Sequence, residues 1–231
     1  MGIMLGYLIP VFIIAAIILP KYFTYKNSKY KAASGNSFWK TLLDKGNHGE
    51  FLTFVILEKL KGPHKLMTNL YIPKKDGSTT EIDLIMLSQT GIYVVESKNY
   101  SGWIFGDEKS KNWMQTFENR QKNHFYNPIW QNKGHISALK SVIDLEDDNL
   151  FKSYIVFSER CTLKKITVSS PNVIVLKRNA LTKIIMRDME SSYKFMTIAE
   201  VDQLYNYLQS YVRVDDGVKN AHIKHLQTKN L

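Results

Sequence analysis

The sequence predicts an α/β domain with a mixed β-sheet flanked by helices, preceded by one N-terminal transmembrane helix. Two apolar runs in the stretch TTEIDLIMLSQTGIYVVESKNY, residues 79 to 100, have the length of adjacent strands. Further on, the helical stretch NPIWQNKGHISALKSVIDL precedes the apolar run SYIVFSE, which is typical of a strand buried on both faces. A strand, a helix of that length and a second strand form a crossover unit, so we expect this strand to lie parallel to an earlier one.

The N-terminal segment from Gly2 to Pro20 carries no charged side chain. As a helix it would be roughly 28 Å long, which just spans a hydrocarbon core. It lacks a basic start and a small-x-small cleavage site, so it predicts an uncleaved anchor rather than a signal peptide. Lysines at positions 21, 26, 29, 31 and 40 all precede the first acidic residue, Asp44. Because lysines beside a membrane segment stay on the cytoplasmic side, we expect a single-pass protein of the cell membrane with its C-terminal domain in the cytoplasm.

The remaining segments fill in the predicted domain. The stretch GNHGEFLTFVILEKLKG predicts a helix with Glu50 in its first turn, KLMTNLYIP a strand, and GWIFGDEKSKNWMQ a hairpin. The second long helix is expected to begin after Asn127, with Pro128 at its first position. The stretches NVIVL, NALTKIIMRDM and AEVDQLYNYLQSYV predict one more strand and two helices. We divide the chain into an anchor (1–20), a basic juxtamembrane tether (21–44), a main domain (45–157), a C-terminal α/β extension (158–212) and a basic tail (213–231).

Charge and cysteine content limit the partners and the kinds of site. The 231 residues have a formal net charge of +10, which favours an anionic partner such as nucleic acid or an acidic membrane face. A basic surface without a partner explains the charge equally well. The single cysteine, Cys161, excludes an intrachain disulfide and a cysteine-based zinc site, and it fits a reducing compartment.

Three charges stand out in the stretch from 79 to 100. Strand alternation places Glu96 and Lys98 on one face. With an even loop centred between Gln89 and Thr90, residues whose numbers add to 179 face each other, so Asp83 lies opposite Glu96. Opposed carboxylates about 5 Å apart repel, and a hard divalent cation such as Mg²⁺ would offset that repulsion. An odd loop would separate the two acids, and the alternative is three solvated charges on an exposed hairpin.

The series GNHGE, GSTTEIDLIMLSQTGIYVVESKNYSGWIFGD, NW and NPIWQNKGHI resembles the nuclease-related domain, NERD, which is similar to the restriction-endonuclease-like PD-(D/E)xK nucleases. The resemblance implies a restriction-endonuclease-like sheet with Asp83, Glu96 and Lys98 at the positions of the motif. It also implies that Glu50 completes the metal site and that Gln131 opens the Q-x-x-x-aromatic-type signature. The sequence departs from the pattern at Ile82, which replaces a proline, and at His135, four residues after Gln131.

The resulting expectation is a membrane-anchored nuclease that hydrolyses phosphodiester bonds of DNA with Mg²⁺ or Mn²⁺. Asp83, Glu96 and Glu50 are the expected metal ligands, and Lys98 positions water or stabilises charge on the phosphate. Six basic side chains are candidates for contacts with backbone phosphates: Lys109, Lys111, Arg120, Lys122, Lys133 and Lys140.

Two other classes of function remain open from the sequence. One is a non-catalytic module that binds nucleic acid or a protein at the membrane, and the other is a scaffold at the lipid surface. Trp103, Trp113 and Trp130 could stack on bases. Core packing is the competing explanation for all three.

Overall fold

The computed structural model describes the backbone of residues 2–212, 214 and 217, and the side chains of these residues from Phe12 onward. The helices of this part are α1 (Gly2–Asn27), α2 (Tyr30–Ser34), α3 (Phe38–Leu43), α4 (Lys45–Glu58), α5 (Pro128–Ile143), α6 (Leu181–Ser191) and α7 (Ile198–Leu208). The strands are β1 (His64–Pro73), β2 (Thr79–Ser88), β3 (Gly91–Lys98), β4 (Gly102–Asp107), β5 (Asn112–Thr116), β6 (Lys122–Tyr126), β7 (Phe151–Phe157), β8 (Cys161–Thr167) and β9 (Val173–Lys177). The predicted basic tail otherwise lies outside the described residues.

The strands form two mixed sheets, so the predicted mixed α/β architecture is confirmed. The larger sheet has the order β1-β2-β3-β7-β9, with β1, β2 and β3 antiparallel and β3, β7 and β9 parallel. The crossover from β3 through α5 to β7 is therefore the expected parallel unit. The smaller sheet has the order β6-β5-β4-β8. Its outer strands β6 and β8 were not predicted, because KNHFY and CTLKKIT are largely exposed edge strands without a continuous apolar run.

The larger sheet is covered on both faces. On one face, Leu84 and Tyr93 pack in a buried cluster with Phe54 of α4. On the other face, Ile85 and Val94 belong to a cluster with residues of α5 and α7. Because side chains alternate along a strand, two faces that are both covered require continuous apolar runs, and this explains the composition of β2 and β3.

Part of the predicted basic juxtamembrane tether, residues 21–44, packs on the domain. Tyr25 and Tyr30 are buried in the cluster beside α4, and both rings pack against Phe51. The Tyr25 hydroxyl donates a 2.6 Å hydrogen bond to the carbonyl of Asn36. The apolar body of tyrosine stabilises this segment on the domain even though its lysines face solvent.

Residues 158–212, the predicted C-terminal α/β extension, contribute to both sheets. They supply β8 to the smaller sheet and β9 to the larger one. The main domain therefore needs these residues to complete both of its sheets.

The predicted anchor falls within α1, and the side chains of residues 1–11 lie outside the described part. Among the residues that the structure describes, none of the helices has both the length and the apolar character needed to cross a membrane.

Candidate active site

The β2–β3 hairpin has the register that the sequence predicts. Ser88 pairs with Gly91, and the ladder continues to the pair Leu84 and Val95, so the connection through residues 89 and 90 is even. Gly91 has a φ of +138°, and a Cβ atom there would lie 2.6 Å from the Leu150 carbonyl oxygen, so glycine is required for this turn. One step beyond the last pair, the same register places Asp83 beside Glu96.

The three charges do not lie on an exposed hairpin, so that alternative is wrong. Glu96 is 1% exposed. Its Oε1 atom lies 2.6 Å from Lys98 Nζ, and its Oε2 atom lies 3.1 Å from His135 Nε2. Asp83 is half-buried, and its Oδ2 atom accepts a 3.1 Å hydrogen bond from the Ser97 amide. Burial without these partners would be costly for each carboxylate.

The predicted helix residue Gln131 lies at the same site. Its Oε1 atom accepts a 3.0 Å hydrogen bond from Lys98 Nζ. The other ring nitrogen of His135, Nδ1, lies 2.8 Å from Thr80 Oγ1. The side chains of Gln131, Lys98, Glu96, His135 and Thr80 thus form one continuous hydrogen-bonded chain across β3, α5 and β2. His135 and Thr80 were not among the predicted site residues, although the i, i+4 spacing of Gln131 and His135 had placed both on one helix face.

The beginning of α5 is fixed where this face meets the sheet. Asn127 caps the helix by accepting a 2.9 Å hydrogen bond from the Ile129 amide. The Asn127 side chain also donates to three carbonyl groups of residues 107, 108 and 110, in the turn between β4 and β5. A helix anchored at its first residue holds Gln131 and His135 toward β3.

The charge pair at the centre of the site is ionised at neutral pH. Burial raises the pKa of Glu96, but Lys98 and His135 outweigh this effect and lower it to about 2. Burial lowers the pKa of Lys98, but the Glu96 and Asp83 carboxylates outweigh it and raise the net value. Lys98 is therefore an ammonium group, which suits it to stabilise negative charge rather than to accept a proton.

Burial and neighbouring carboxylates raise the pKa values of both Asp83 and Glu50. Burial raises the pKa of Asp83, and the Glu96 and Glu50 carboxylates raise it further. Burial likewise raises the pKa of Glu50 to about 8, with Glu81, Glu96 and Asp44 adding to the effect. The Oε2 atom of Glu50 is buried without a hydrogen-bond partner. Two neighbouring acids thus hold their protons more tightly than usual, as expected where carboxylates converge.

The sequence predicted Glu50 in the first turn of its helix, but the structure places it in the second turn. Asp44 caps α4 by accepting a 2.8 Å hydrogen bond from the Asn47 amide, so the helix begins at Lys45 and Glu50 is in its second turn. A favourable interaction with the helix start therefore does not explain this carboxylate, because that effect fades beyond the first turn.

The metal ligands predicted from the sequence are near one another but not assembled around a common point. Within the described residues, no group of three His, Cys, Asp or Glu side chains is arranged to hold a metal ion. Both Glu96 oxygens are turned toward Lys98 and His135 instead.

The opposite face of β3 carries functional candidates that sequence reasoning missed. Arg178 is 1% exposed and donates a 3.1 Å hydrogen bond from Nε to Thr53 Oγ1, which in turn lies 3.2 Å from Ser97 Oγ. Arg160 donates to the carbonyl and side-chain oxygens of Asn99, at 3.1 and 2.9 Å. Arg178 is thus linked to β3 through Thr53, and Arg160 contacts the residue that follows β3. Because both arginines are distant from β3 along the chain, the sequence contains no residue spacing that predicts these contacts.

A cleft of about 870 Å³ opens beside the site, and we call it the site cleft. Asp83, Gln131 and His135 lie along it. The other lining residues come mainly from β2, β5, β6 and α5: Lys74, Thr80, Glu81, Lys111, Asn112, His124, Phe125, Tyr126, Trp130 and Gly134. The site is therefore open to a ligand larger than a single small ion.

The six basic residues predicted to contact phosphates do not lie together. Lys111 lines the site cleft, whereas Lys109 and Lys133 line a shallower groove on another side of Trp130. Arg120 and Lys122 are exposed at the β5–β6 connection.

Lys140 is not available for a phosphate contact, so this prediction is wrong. It is 9% exposed, and its ammonium group lies 2.5 Å from Asp148 Oδ1 and over the ring of Phe151. It also donates to the carbonyl of Glu146. Its position in α5 points the long side chain along the domain rather than toward the cleft.

Comparison with known proteins assigns the chain to a family. The family model described as the nuclease-related domain, NERD, matches residues 45–158. The uncharacterized protein pXO1-01 of Bacillus anthracis is 34% identical over 186 residues, which cover 80% of this chain and 85% of that protein. No solved structure matches the chain significantly. With its matched segment spanning α4 to β7, the chain belongs to the NERD family.

Proposed function

We propose that this protein is a divalent-metal-dependent nuclease that hydrolyses phosphodiester bonds of DNA. The observation that carries the proposal is the convergence of Asp83, Glu96, Lys98 and Gln131 beside an open cleft. Membership of the nuclease-related family supports the same class of reaction. Asp83, whose pKa is raised, also lines that cleft, as expected of a functional carboxyl group.

The chemistry of the donor atoms, although not their present arrangement, suits a hard divalent cation. Asp83 and Glu96 would hold Mg²⁺ or Mn²⁺, with Glu50 supplying the oxygen that is buried without a partner. The metal would polarise a phosphoryl oxygen and lower the pKa of a bound water. Ligation requires loss of the protons that Asp83 and Glu50 hold tightly and reorientation of the Glu96 carboxylate, so affinity for the metal should fall with falling pH.

The protein's own side chains have separate tasks in hydrolysis. The Lys98 ammonium group lies where negative charge would develop on the phosphate and on the attacking water. Gln131 holds that ammonium group through its Oε1 atom. His135 orients Glu96 and is itself held by Thr80, so it is a positioning residue rather than a catalytic one.

DNA is the proposed substrate because of charge. The net charge of +10 favours a polyanion, and Lys111 lines the site cleft itself. Lys109 and Lys133 lie within reach of a strand that leaves the cleft past Trp130. The alternative is a non-catalytic module on the same fold, which would need the basic surface but not the converging acids.

Incubation of the full chain with plasmid, single-stranded DNA and RNA tests the proposal. We expect cleavage of DNA with Mg²⁺ or Mn²⁺, no cleavage with EDTA, and loss of cleavage in Asp83→Asn. Gel electrophoresis of the products measures the outcome. Binding without cleavage under all metal conditions would favour the non-catalytic module, and equal cleavage by wild type and Asp83→Asn would refute the assigned site.

We also propose that α1 attaches the protein to the cell membrane as a single-pass anchor, with the folded domain in the cytoplasm. Large apolar side chains of α1 are exposed from Phe12 to Phe23, and Trp39 and Leu43 of α3 are 55% and 77% exposed. Lysines 21, 26 and 40 accompany them, as expected beside an anionic leaflet. Cell fractionation followed by an alkaline carbonate wash should leave the protein in the membrane pellet. Recovery in the supernatant would contradict a spanning anchor.

A further inference from the structure

We propose that the site cleft binds unpaired nucleobases, so that the substrate is single-stranded or locally unpaired DNA. The proposal rests on the nuclease function proposed above and specifies its substrate. Two aromatic rings carry it, those of Tyr126 at the end of β6 and Trp130 in the first turn of α5. Both line the same cleft as Asp83 and Gln131. We call these two rings the aromatic platform.

The platform is exposed and held in place. Tyr126 is 48% exposed and Trp130 is 38% exposed, and their ring centroids lie 6.3 Å apart at an angle of 77°. Trp130 Nε1 donates a 2.7 Å hydrogen bond to the Glu108 carbonyl, so its ring has a fixed direction. Two large rings at the mouth of a polar cleft are costly to leave in water, and a flat apolar ligand would offset that cost.

The charges around the platform suit a nucleic-acid strand. Lys74, Lys111 and His124 line the cleft, as do the acids Asp83 and Glu81. A strand can place its phosphates against the lysines and a base against the rings, which is how many single-strand-binding grooves are built. The volume of about 870 Å³ is in the range of cavities that hold drug-sized ligands, so a flexible segment of strand is a suitable occupant.

An intact duplex does not fit this arrangement. In a duplex the base faces are stacked on one another, so a protein ring can reach a base face only after the base leaves the stack. Contacts with a duplex backbone would need the lysines but not the rings. The position of the platform beside the proposed catalytic residues therefore indicates that bases are unpaired where the strand is cut.

The other tryptophans provide the comparison. Trp113 is 1% exposed and packs in the core, as the competing explanation held. Trp103 is 45% exposed, but it lies on β4 with Lys164 Nζ 4.9 Å from its ring centroid and does not line the site cleft. Trp103→Ala is thus a matched control that removes an equally exposed indole elsewhere.

Binding of three fluorescein-labelled probes to the full chain in EDTA tests the proposal. The probes are a 20-nucleotide oligothymidine, an abasic strand of equal length, and a 20-base-pair duplex. Fluorescence anisotropy should show the tightest binding for oligothymidine, because only this probe offers both phosphates and free base faces. Tyr126→Ala and Trp130→Ala should each weaken oligothymidine binding about tenfold and leave abasic binding unchanged. Trp103→Ala should bind oligothymidine like wild type, and Tyr126→Phe, which keeps the ring, should bind it more tightly than Tyr126→Ala does.

The outcomes separate this proposal from the nuclease function. Equal affinity for oligothymidine and the abasic strand, or equal weakening of both in the alanine variants, would refute the platform. Cleavage of duplex at the same rate as single strand would also refute it while leaving the nuclease function intact. Conversely, tight base-dependent binding without metal-dependent cleavage would retain the platform and refute the nuclease.

Discussion

Replacement of Lys98 by methionine should lower the rate of phosphodiester hydrolysis about a thousandfold, because it removes a fixed positive charge from the site of charge development. Lys98 lies 2.6 Å from Glu96 Oε1 and 3.0 Å from Gln131 Oε1, so the ammonium group is held in one place before any substrate arrives. Methionine keeps most of the length and apolar volume of the lysine side chain. Rates of single-turnover cleavage with saturating Mg²⁺ measure the effect.

The same substitution has a structural cost that must be measured separately. It leaves the buried Glu96 carboxylate with His135 as its remaining partner, and breaking a buried ion pair costs about 3 to 5 kcal/mol. Thermal unfolding followed by circular dichroism should therefore show a lower midpoint temperature. Cleavage rates should be measured at a temperature well below the midpoint of the variant. Lys165→Met, at an exposed position of β8, is the control that should change neither quantity. Wild-type rates in folded Lys98→Met would contradict the catalytic role.

The β2–β3 hairpin could be predicted because the number of residues in its connection, even or odd, decides which side chains share a face. A shift of one residue in β2 or β3 would turn every buried side chain to the other face. The numbering left an even and an odd connection open, and the structure has the even one, with Ser88 paired to Gly91 across residues 89 and 90. The capped start of α5 could be predicted for a similar reason, since Asn127 followed by Pro128 is a strong local signal.

Features that depend on contacts between distant segments could not be predicted. Tyr25 and Tyr30 belong to a segment whose composition resembles a linker, and packing against residues of α4 such as Phe51 makes it part of the domain. Arg178, which follows β9, contacts Thr53 beside the opposite face of β3, with no spacing that relates it to β3. Lys140 shows the converse, because a lysine on a helix near a predicted site was bound instead to the local acid Asp148.

Replacement of Glu50 by glutamine should stabilise the metal-free protein at alkaline pH. The pKa of Glu50 is raised to about 8 from an ordinary value near 4.5, so the folded state retains a proton that the unfolded chain loses. Stability from this group is complete below about pH 4.5 and declines as the pH rises through about 8. Glutamine has no proton to lose. The variant should therefore exceed wild type by on the order of 2 to 3 kcal/mol at pH 8.5 and by much less at pH 5.

Urea unfolding in EDTA at the two pH values measures this difference, with Glu118→Gln on an exposed loop as the control. Addition of Mg²⁺ at pH 8.5 should narrow this difference, because a bound cation stabilises the folded state in proportion to its occupancy and wild type supplies the additional carboxylate. Wild type should gain about 2 to 3 kcal/mol at a hundredfold excess over its dissociation constant, and Glu50→Gln should gain clearly less. If both proteins gain equally from Mg²⁺, Glu50 is not a ligand. An acid that lowers stability without metal and increases the stabilisation by metal has a role that packing alone does not explain, and this combination separates a metal ligand from a buried structural carboxyl group.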